Sequence, residues 1–188
     1  MTFIETVPEA DATGATAEIY AGDRELNGFL PNFTQAFSLR PEVYSAWRQL
    51  NGTIKSGMDL RRYELATIAA AARLRSSYCT LAHGSVLVDT GFLSPDELTA
   101  VVSDHHAAGL DEAEVAVMDL AAKIVEDATS VEQADVDRLR SLGLSDQEIM
   151  DVVLAAAVRC FFSKVIDALG AEPDAKYAGL DPALRVGR

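Results

Sequence analysis

Residues 60–87, LRRYELATIAAAARLRSSYCTLAHGSVL, contain the two helices on which the fold depends. In the first half, apolar residues recur at i, i+3, i+4 and i+7 from Leu65, which is the spacing of one helix face. Thr67 is the one polar side chain between residues 65 and 72. A helix that is apolar nearly all round is buried on all sides. This half therefore predicts a helix at the centre of the core.

The second half places a cysteine and a histidine on the inward face of a helix. Cys79 and His83 lie one turn apart, in step with the apolar residues that follow them. Ser76 or Ser77 suits the N-cap position, which puts Cys79 in the first turn. There the helix dipole and free amides favour a thiolate, and the imidazole exchanges protons near neutral pH. The pattern fits an activated nucleophile, although a cysteine and a histidine at this spacing are, taken alone, more often core residues.

Glu64 lies near the N-terminal end of the first helix. Inside the core, a carboxylate must be paired or take up a proton, and Arg61 and Arg75 are candidate partners. Together with Cys79 and His83 it forms a candidate catalytic set. The same three side chains would also suit a zinc ion. With three histidines, two cysteines and no HExxH or CxxC pattern, the sequence favours neither a metal nor a cofactor.

Helix start signals recur along the rest of the chain. Ser94-Pro95-Asp96-Glu97, Ser130-Val131-Glu132-Gln133 and Ser145-Asp146-Gln147-Glu148 have the capping-box pattern, and Asp111 with Glu114 is a weaker form of it. No segment combines β-branched residues with strand-like alternation. We predict an all-α fold in a single domain over residues 1–188, with its core motif at 60–89. The predicted helices are 15–26, 41–56, 60–74, 77–89, 95–103, 112–128, 131–142 and 146–168.

The remaining segments are predicted to be irregular. Residues 28–33 have the composition of a loop or turn, and the tail after Gly170 contains scattered prolines. Cys160 falls on an apolar stripe with Val153, Ala156 and Ala157, which predicts an inert core cysteine. His105-His106 stands near a helix end, where solvation and contact with the helix dipole are expected.

Charge and composition exclude several classes of function. The net charge is −13, from 29 acidic and 16 basic residues, which argues against binding to nucleic acid or to an anionic membrane. The longest apolar run, residues 152–158, is far shorter than the roughly 20 residues of a membrane-spanning helix. The first residues lack the features of a secretory signal. Two cysteines imply no disulfide framework, so we expect a cytoplasmic protein with reduced thiols.

Two segments, YE at 63–64 and SSYCTLAH at 76–83, resemble the core motif of the alkylhydroperoxidase D and carboxymuconolactone decarboxylase family, in its peroxidase-related branch. In that family a glutamate is followed twelve residues later by CxxC, and a histidine stands four residues after the second cysteine. The chain matches every spacing, but Ser76 replaces the first cysteine. The segments 28–50 and 161–170 are also similar to the family.

The resemblance implies a peroxidase-like antioxidant oxidoreductase that reduces hydroperoxides. Cys79 would be the reactive sulfur, His83 would take its proton, and Glu64 would orient the imidazole. Ser76 and Tyr78 would contact the substrate. Since Ser76 cannot form a disulfide, an external thiol reductant is required, and the hydroxyl would instead cap the helix by accepting from the amide of Cys79. The family also implies a homo-oligomer, a trimer or a hexamer.

Two alternatives stay open at this stage. The first is a lyase or isomerase of the carboxymuconolactone decarboxylase type, in which Glu64 and His83 perform acid–base chemistry and Cys79 is incidental. The second is a non-catalytic helical oligomer that has lost the proton relay.

Overall fold

The computed structural model describes residues 2–187, and all regular structure in this range is helical. Within it, no helix is long and apolar enough to cross a membrane. The predicted all-α fold is confirmed. The helices are α1 (Gly14–Asn27), α2 (Asn32–Ala36), α3 (Pro41–Ser56), α4 (Leu60–Arg73), α5 (Ser77–Asp89), α6 (Pro95–Asp104), α7 (Glu112–Asp127), α8 (Gln133–Ser141) and α9 (Asp146–Ala168). Short 3-10 helices lie at Glu9–Asp11, Ala128–Ser130, Ala175–Gly179 and Pro182–Leu184.

Helix α4 is the centre of the core, as its sequence predicts. It packs against α5, α7 and α9, and every residue from Tyr63 to Ala71 is buried. The Asp59 side chain begins the helix by accepting a hydrogen bond from the Arg62 amide. Because a helix buried all round has no solvent-facing side, its position carries Glu64 into the interior with it.

Three of the predicted helix starts are confirmed as capping boxes. At Ser94, Asp111 and Ser145, the side chain accepts from the backbone of the third helical residue, whose carboxylate accepts from the capping residue in return. Each box satisfies two amides that the first turn leaves without an intrahelical partner. These local bonds explain why the starts of α6, α7 and α9 are visible in the sequence.

The predicted capping box at Ser130 is wrong. Ser130 belongs to a 3-10 helix, and its hydroxyl donates to the carbonyl oxygen of Asp127 at 2.7 Å. Helix α8 begins later, at Gln133, where the Asp135 carboxylate accepts from the Glu132 amide at 2.8 Å. The hydroxyl that fits the motif is therefore engaged by the turn before the helix.

This difference supports a stability prediction. Ser145→Ala is expected to lower the free energy of unfolding by about 1 kcal/mol, because the first turn of α9 loses its cap. Urea denaturation measures the loss. Ser130 fits the same sequence motif but does not cap a helix, so Ser130→Ala should lower the free energy of unfolding by a clearly smaller amount. Equal losses in the two variants would contradict the assignment of the caps.

The loop predicted at residues 28–33 is wrong in its second half. Gly28 ends α1 in the left-handed region, with φ of 79°, but Asn32 begins the short helix α2. The Asn32 amide donates to a carboxylate oxygen of Asp174 at 2.9 Å. A single helical turn held by a residue far along the chain has no local signal to predict it.

The buried face of α9 is shifted by one residue from the predicted stripe. Val152, Ala156 and Arg159 are buried, whereas Ala157 is exposed and Cys160 is half-buried. The prediction that Cys160 is a core cysteine is therefore wrong. The shift turns Arg159 inward and Cys160 toward the edge of the helix.

Candidate functional site

Cys79 lies in the first turn of α5, as predicted, and its side chain is buried. Ser76 occupies the N-cap position, but the prediction that its hydroxyl caps the helix is wrong. Its ψ is 94°, against 163° at Ser94 and 161° at Ser145, where the hydroxyl does cap. With this backbone geometry the Ser76 side chain forms no hydrogen bond to the Cys79 amide. The Ser76 Oγ is buried and has no hydrogen-bond partner among residues 2–187.

Glu64 and His83 meet directly in the interior. The His83 Nδ1 lies 2.6 Å from the Glu64 Oε2, and the Lys55 ammonium donates to the Glu64 Oε1 at 2.8 Å. The Glu64 side chain is fully buried. The two arginines predicted as its partners lie elsewhere, since Arg61 pairs with a carboxylate of α7 and Arg75 faces the carboxyl-terminal tail. One carboxylate therefore bridges an imidazole and an ammonium group.

The electrostatics of this pair favour a charged acid and a neutral base. Burial opposes ionisation of Glu64, but His83 and Lys55 outweigh it and lower the pKa of the carboxyl from 4.5 to about 2. Burial lowers the pKa of His83 below 6.5, and the Arg159 guanidinium lowers it further, against the opposing effect of Glu64. At neutral pH the Lys55 ammonium thus keeps Glu64 ionised beside a neutral imidazole. Because a carboxylate only accepts, Nδ1 carries the proton and Nε2 is the basic nitrogen.

The thiol faces a buried arginine. The Arg159 Nη1 lies 3.7 Å from the Cys79 Sγ, and 3% of Arg159 is exposed. No carboxylate of residues 2–187 forms an ion pair with this guanidinium. Burial alone would lower the pKa of Arg159, but the Cys79 sulfur and the Tyr63 hydroxyl raise it above its ordinary value. Within the same residues, Cys79 forms no hydrogen bond to His83.

Sequence reasoning missed Arg159 and Lys55. A signal existed for the arginine, because Arg159 follows the longest apolar run at seven residues from the buried Val152, on the inward face of α9. A guanidinium at such a position needs a partner. No comparable signal exists for Lys55, which is an ordinary lysine in the last turn of α3.

Tyr78 links α5 to the carboxyl-terminal tail. Its hydroxyl donates to the Asp174 carboxylate and accepts from the Phe33 amide at 3.1 Å. Its ring packs edge-on against Tyr177 of the tail, with 6.2 Å between centroids. These contacts give Tyr78 a packing role, and its predicted contact with a substrate stays a prediction.

The rings of His105 and His106 both contact the Asp119 carboxylate instead of facing solvent alone. The Nε2 atoms of both rings lie 2.9 Å from the Asp119 Oδ1, and Arg138 pairs with the other carboxylate oxygen at 2.8 Å. These three histidine and aspartate side chains bring possible metal-ligand atoms within 4.8 Å of one another. The contacts tie the end of α6 to α7 and α8.

Most residues of the candidate site fall in one segment of the chain that matches a known family. Residues 41–123 match the model of the carboxymuconolactone decarboxylase family. That segment runs from the first residue of α3 into α7 and contains Glu64, Cys79 and His83. This part of the chain is therefore similar to the carboxymuconolactone decarboxylase family. Among proteins with curated descriptions, none matches the chain.

Solved structures of other proteins have the same fold as this chain. An alkylhydroperoxidase AhpD core protein, an uncharacterized peroxidase-related protein from Ralstonia eutropha JMP134, is similar with a TM-score of 0.86 at 20% identity, over 100% of this chain and 98% of that one. An uncharacterized peroxidase-related protein from Silicibacter sp. TM1040 has a TM-score of 0.85 at 24% identity, over 95% of each chain. The C82A variant of the debrominase Bmp8, in complex with 2,3,4-tribromopyrrole, has a TM-score of 0.77 at 15% identity, over 95% of each chain. These likenesses establish the fold.

An apolar groove adjoins the candidate site. It lies between α3 and α9, and its volume is about 620 Å³. Ile54 and Val158 line it and belong to the same buried hydrophobic cluster as Tyr63. The Tyr63 ring is in turn edge-on to His83, with 6.2 Å between centroids. Tyr63 therefore belongs to the apolar cluster beside the groove and also packs against the imidazole.

Proposed function

We propose that the chain is a cysteine-dependent hydroperoxide reductase in which Cys79 is the reactive sulfur. The observation that carries the proposal is the buried Arg159 guanidinium facing the Cys79 Sγ at 3.7 Å. A buried cation is costly unless a negative group compensates it. Among the described residues no carboxylate pairs with Arg159, and a Cys79 thiolate supplies the missing charge. The thiolate is also the nucleophilic form of cysteine.

The proposed reaction begins with attack of the Cys79 thiolate on the terminal oxygen of the hydroperoxide. An S–O bond forms, the O–O bond breaks, and the departing alkoxide takes up one proton to leave as an alcohol. The sulfur is oxidised to a sulfenic acid and the hydroperoxide is reduced. A small thiol then displaces water from the sulfur to give a mixed disulfide. A second thiol molecule restores Cys79 and leaves as the disulfide of the reductant.

Glu64 and His83 are proposed to manage the protons. The Glu64 carboxylate fixes the imidazole through Nδ1 at 2.6 Å, so that Nε2 is free to accept and return a proton. His83 stands one helical turn beyond Cys79, which suits it to receive the thiol proton before the peroxide reacts. Lys55 supports the relay by holding the other carboxylate oxygen.

The proposal is tested by trapping the oxidised sulfur. After one equivalent of hydrogen peroxide, a dimedone-type reagent is expected to label Cys79, as read by peptide mass spectrometry. Cys160 is the internal control, because burial raises the pKa of its thiol and disfavours the thiolate. Consumption of peroxide with no label on Cys79, or with label on Cys160 instead, would rule out the proposed chemistry.

A second candidate is a lyase or isomerase of the carboxymuconolactone decarboxylase type. The match of residues 41–123 to that family favours it, and the Glu64–His83 pair provides an acid and a base. In such an enzyme the sulfur would take no part in bond making. Cys79→Ser would then leave activity largely intact, whereas the peroxide reaction requires the thiolate.

The cellular setting is part of the same proposal. A peroxidase without a second motif cysteine depends on a supply of small thiols, which are kept reduced in the cytoplasm. We propose a single-domain, cytoplasmic homo-oligomer, a trimer or a hexamer, whose partners are a small hydroperoxide and a thiol reductant. The buried position of Cys79, 2% exposed, favours small hydroperoxides over bulky ones.

A further inference from the structure

Buried polar atoms without partners concentrate around the thiol. Within residues 2–187, five buried side-chain nitrogen or oxygen atoms have no hydrogen-bond partner, and all but the Trp47 indole nitrogen belong to α9 or to the start of α5. The remaining four are Ser76 Oγ, Thr80 Oγ1, Arg159 Nε and Ser163 Oγ. Such groups are rare in folded proteins, and each requires a physical explanation.

Helix geometry places these groups on two facing surfaces. Ser76, Cys79 and Thr80 are spaced at i, i+3 and i+4, so they share one side of the first turn of α5. Arg159 and Ser163 are spaced at i and i+4 on α9. Because the Arg159 Nη1 contacts the Cys79 Sγ at 3.7 Å, the two surfaces meet at the sulfur.

The free hydroxyls on these helices differ from other helical hydroxyls of this chain. A buried threonine or serine in a helix usually donates to the carbonyl four residues earlier. Thr67, Thr90 and Thr99 all do so. Thr80 and Ser163 lack this bond, although each is fully buried. Their donors are therefore available to another group in the interior.

We propose that these groups form a binding site for the oxygen atom that Cys79 acquires from the peroxide. The inference rests on the proposed function and assigns Ser76 a role there. When the sulfenic acid releases its proton to solvent, the resulting sulfenate oxygen carries the negative charge that the thiolate held, and it can accept hydrogen bonds from the hydroxyl and guanidinium donors. Donors bonded to that oxygen stabilise the sulfenate and restrain the sulfur from attacking a second peroxide. Ser76, where the family has a resolving cysteine, thus holds the oxidised intermediate until an external thiol arrives.

The experiment measures how long the sulfenic acid survives. Protein treated with one equivalent of hydrogen peroxide is sampled over time with a dimedone-type trap, and sulfinic acid is quantified by intact mass. Ser76→Ala and Ser163→Ala are each expected to shorten the sulfenic acid lifetime about fivefold, the effect of losing one hydrogen bond. Sulfinic acid should accumulate faster in both variants. Circular dichroism verifies that each variant is folded.

Ser77→Ala is the matched control. Ser77 is adjacent to Ser76 and also buried, but its hydroxyl already accepts from the Gly187 amide at 2.9 Å. Its sulfenic acid lifetime should equal that of the wild type. Unchanged lifetimes in both Ser76→Ala and Ser163→Ala, with normal formation of the sulfenic acid, would overturn this inference and leave the peroxidase proposal standing. Failure of Cys79 to form a sulfenic acid at all would overturn both.

Discussion

Replacing Arg159 with methionine is expected to slow alkylation of Cys79 by iodoacetamide at pH 7 by about 10- to 100-fold. Opposite unit charges about 4 Å apart attract by about 4 kcal/mol at an effective dielectric constant of 20. If a third to two thirds of this attraction stabilises the thiolate, its loss corresponds to the expected 10- to 100-fold change, since about 1.4 kcal/mol is a factor of ten. Methionine preserves an unbranched, adaptable side chain and removes the charge. The rate of alkylation, followed by mass spectrometry at several pH values, measures the fraction of thiolate.

Stability separates this electrostatic role from a purely structural one. Replacing a buried ion pair by apolar groups is often neutral or stabilising, and in Arg159→Met the Cys79 sulfur can take up a proton, so that no uncompensated charge stays buried. Arg159→Met should therefore keep or raise the urea midpoint while the thiol loses reactivity. Arg73→Met, at an exposed arginine paired with Glu126, is the control and should leave the alkylation rate unchanged. Wild-type reactivity in Arg159→Met would remove the main support for Cys79 as the nucleophile.

The parts of the site that lie on one helix could be predicted from the sequence. Cys79 and His83 share a face of α5 because the period of a helix fixes positions four residues apart. The first-turn position of Cys79 follows from the serines before it. The contact between Glu64 and His83 joins two helices, and it was predicted from the spacing that resembles the family. The structure confirms that contact at 2.6 Å.

The charges around the site could not be predicted in the same way. Arg159 meets Cys79 across 80 positions of the chain, and Lys55 reaches Glu64 from the end of another helix. Packing of α9 against α4 and α7 decides which side of the helix turns inward. An error of one residue in that face, about 100° of rotation, exchanged the predicted burial of Cys160 for the observed burial of Arg159. Local periodicity in an apolar helix is too weak to resolve such a shift.

Glu64→Gln is expected to lower the free energy of unfolding by about 2–3 kcal/mol at pH 7, because it removes a buried charge that is hydrogen-bonded on both sides. Lys55 loses its carboxylate partner, and His83 loses the acceptor that fixes its ring. Urea denaturation measures the loss, and an unchanged m-value would verify that the unfolding transition is the same. Glu126→Gln breaks an exposed ion pair by the same substitution and should change stability little. The peroxide reaction should slow in Glu64→Gln and keep its wild-type rate in Glu126→Gln.

The pH dependence of that loss tests its cause. The pKa of Glu64 is about 2 in the folded chain and 4.5 ordinarily, so the unfolded chain takes up the proton first as pH falls. Its stabilising contribution, at most about 3 kcal/mol, is then complete above pH 4.5 and disappears between pH 4.5 and 2. Burial also lowers the folded pKa of His83, so acidification below pH 6.5 destabilises both proteins, and Glu64 moderates this effect in the wild type alone. The difference between wild type and Glu64→Gln should therefore be constant at pH 7–8 and shrink toward pH 3. A difference larger at pH 3 than at pH 7 would mean that the Glu64 carboxyl is protonated in the folded protein and that the ionic contact with Lys55 does not stabilise it.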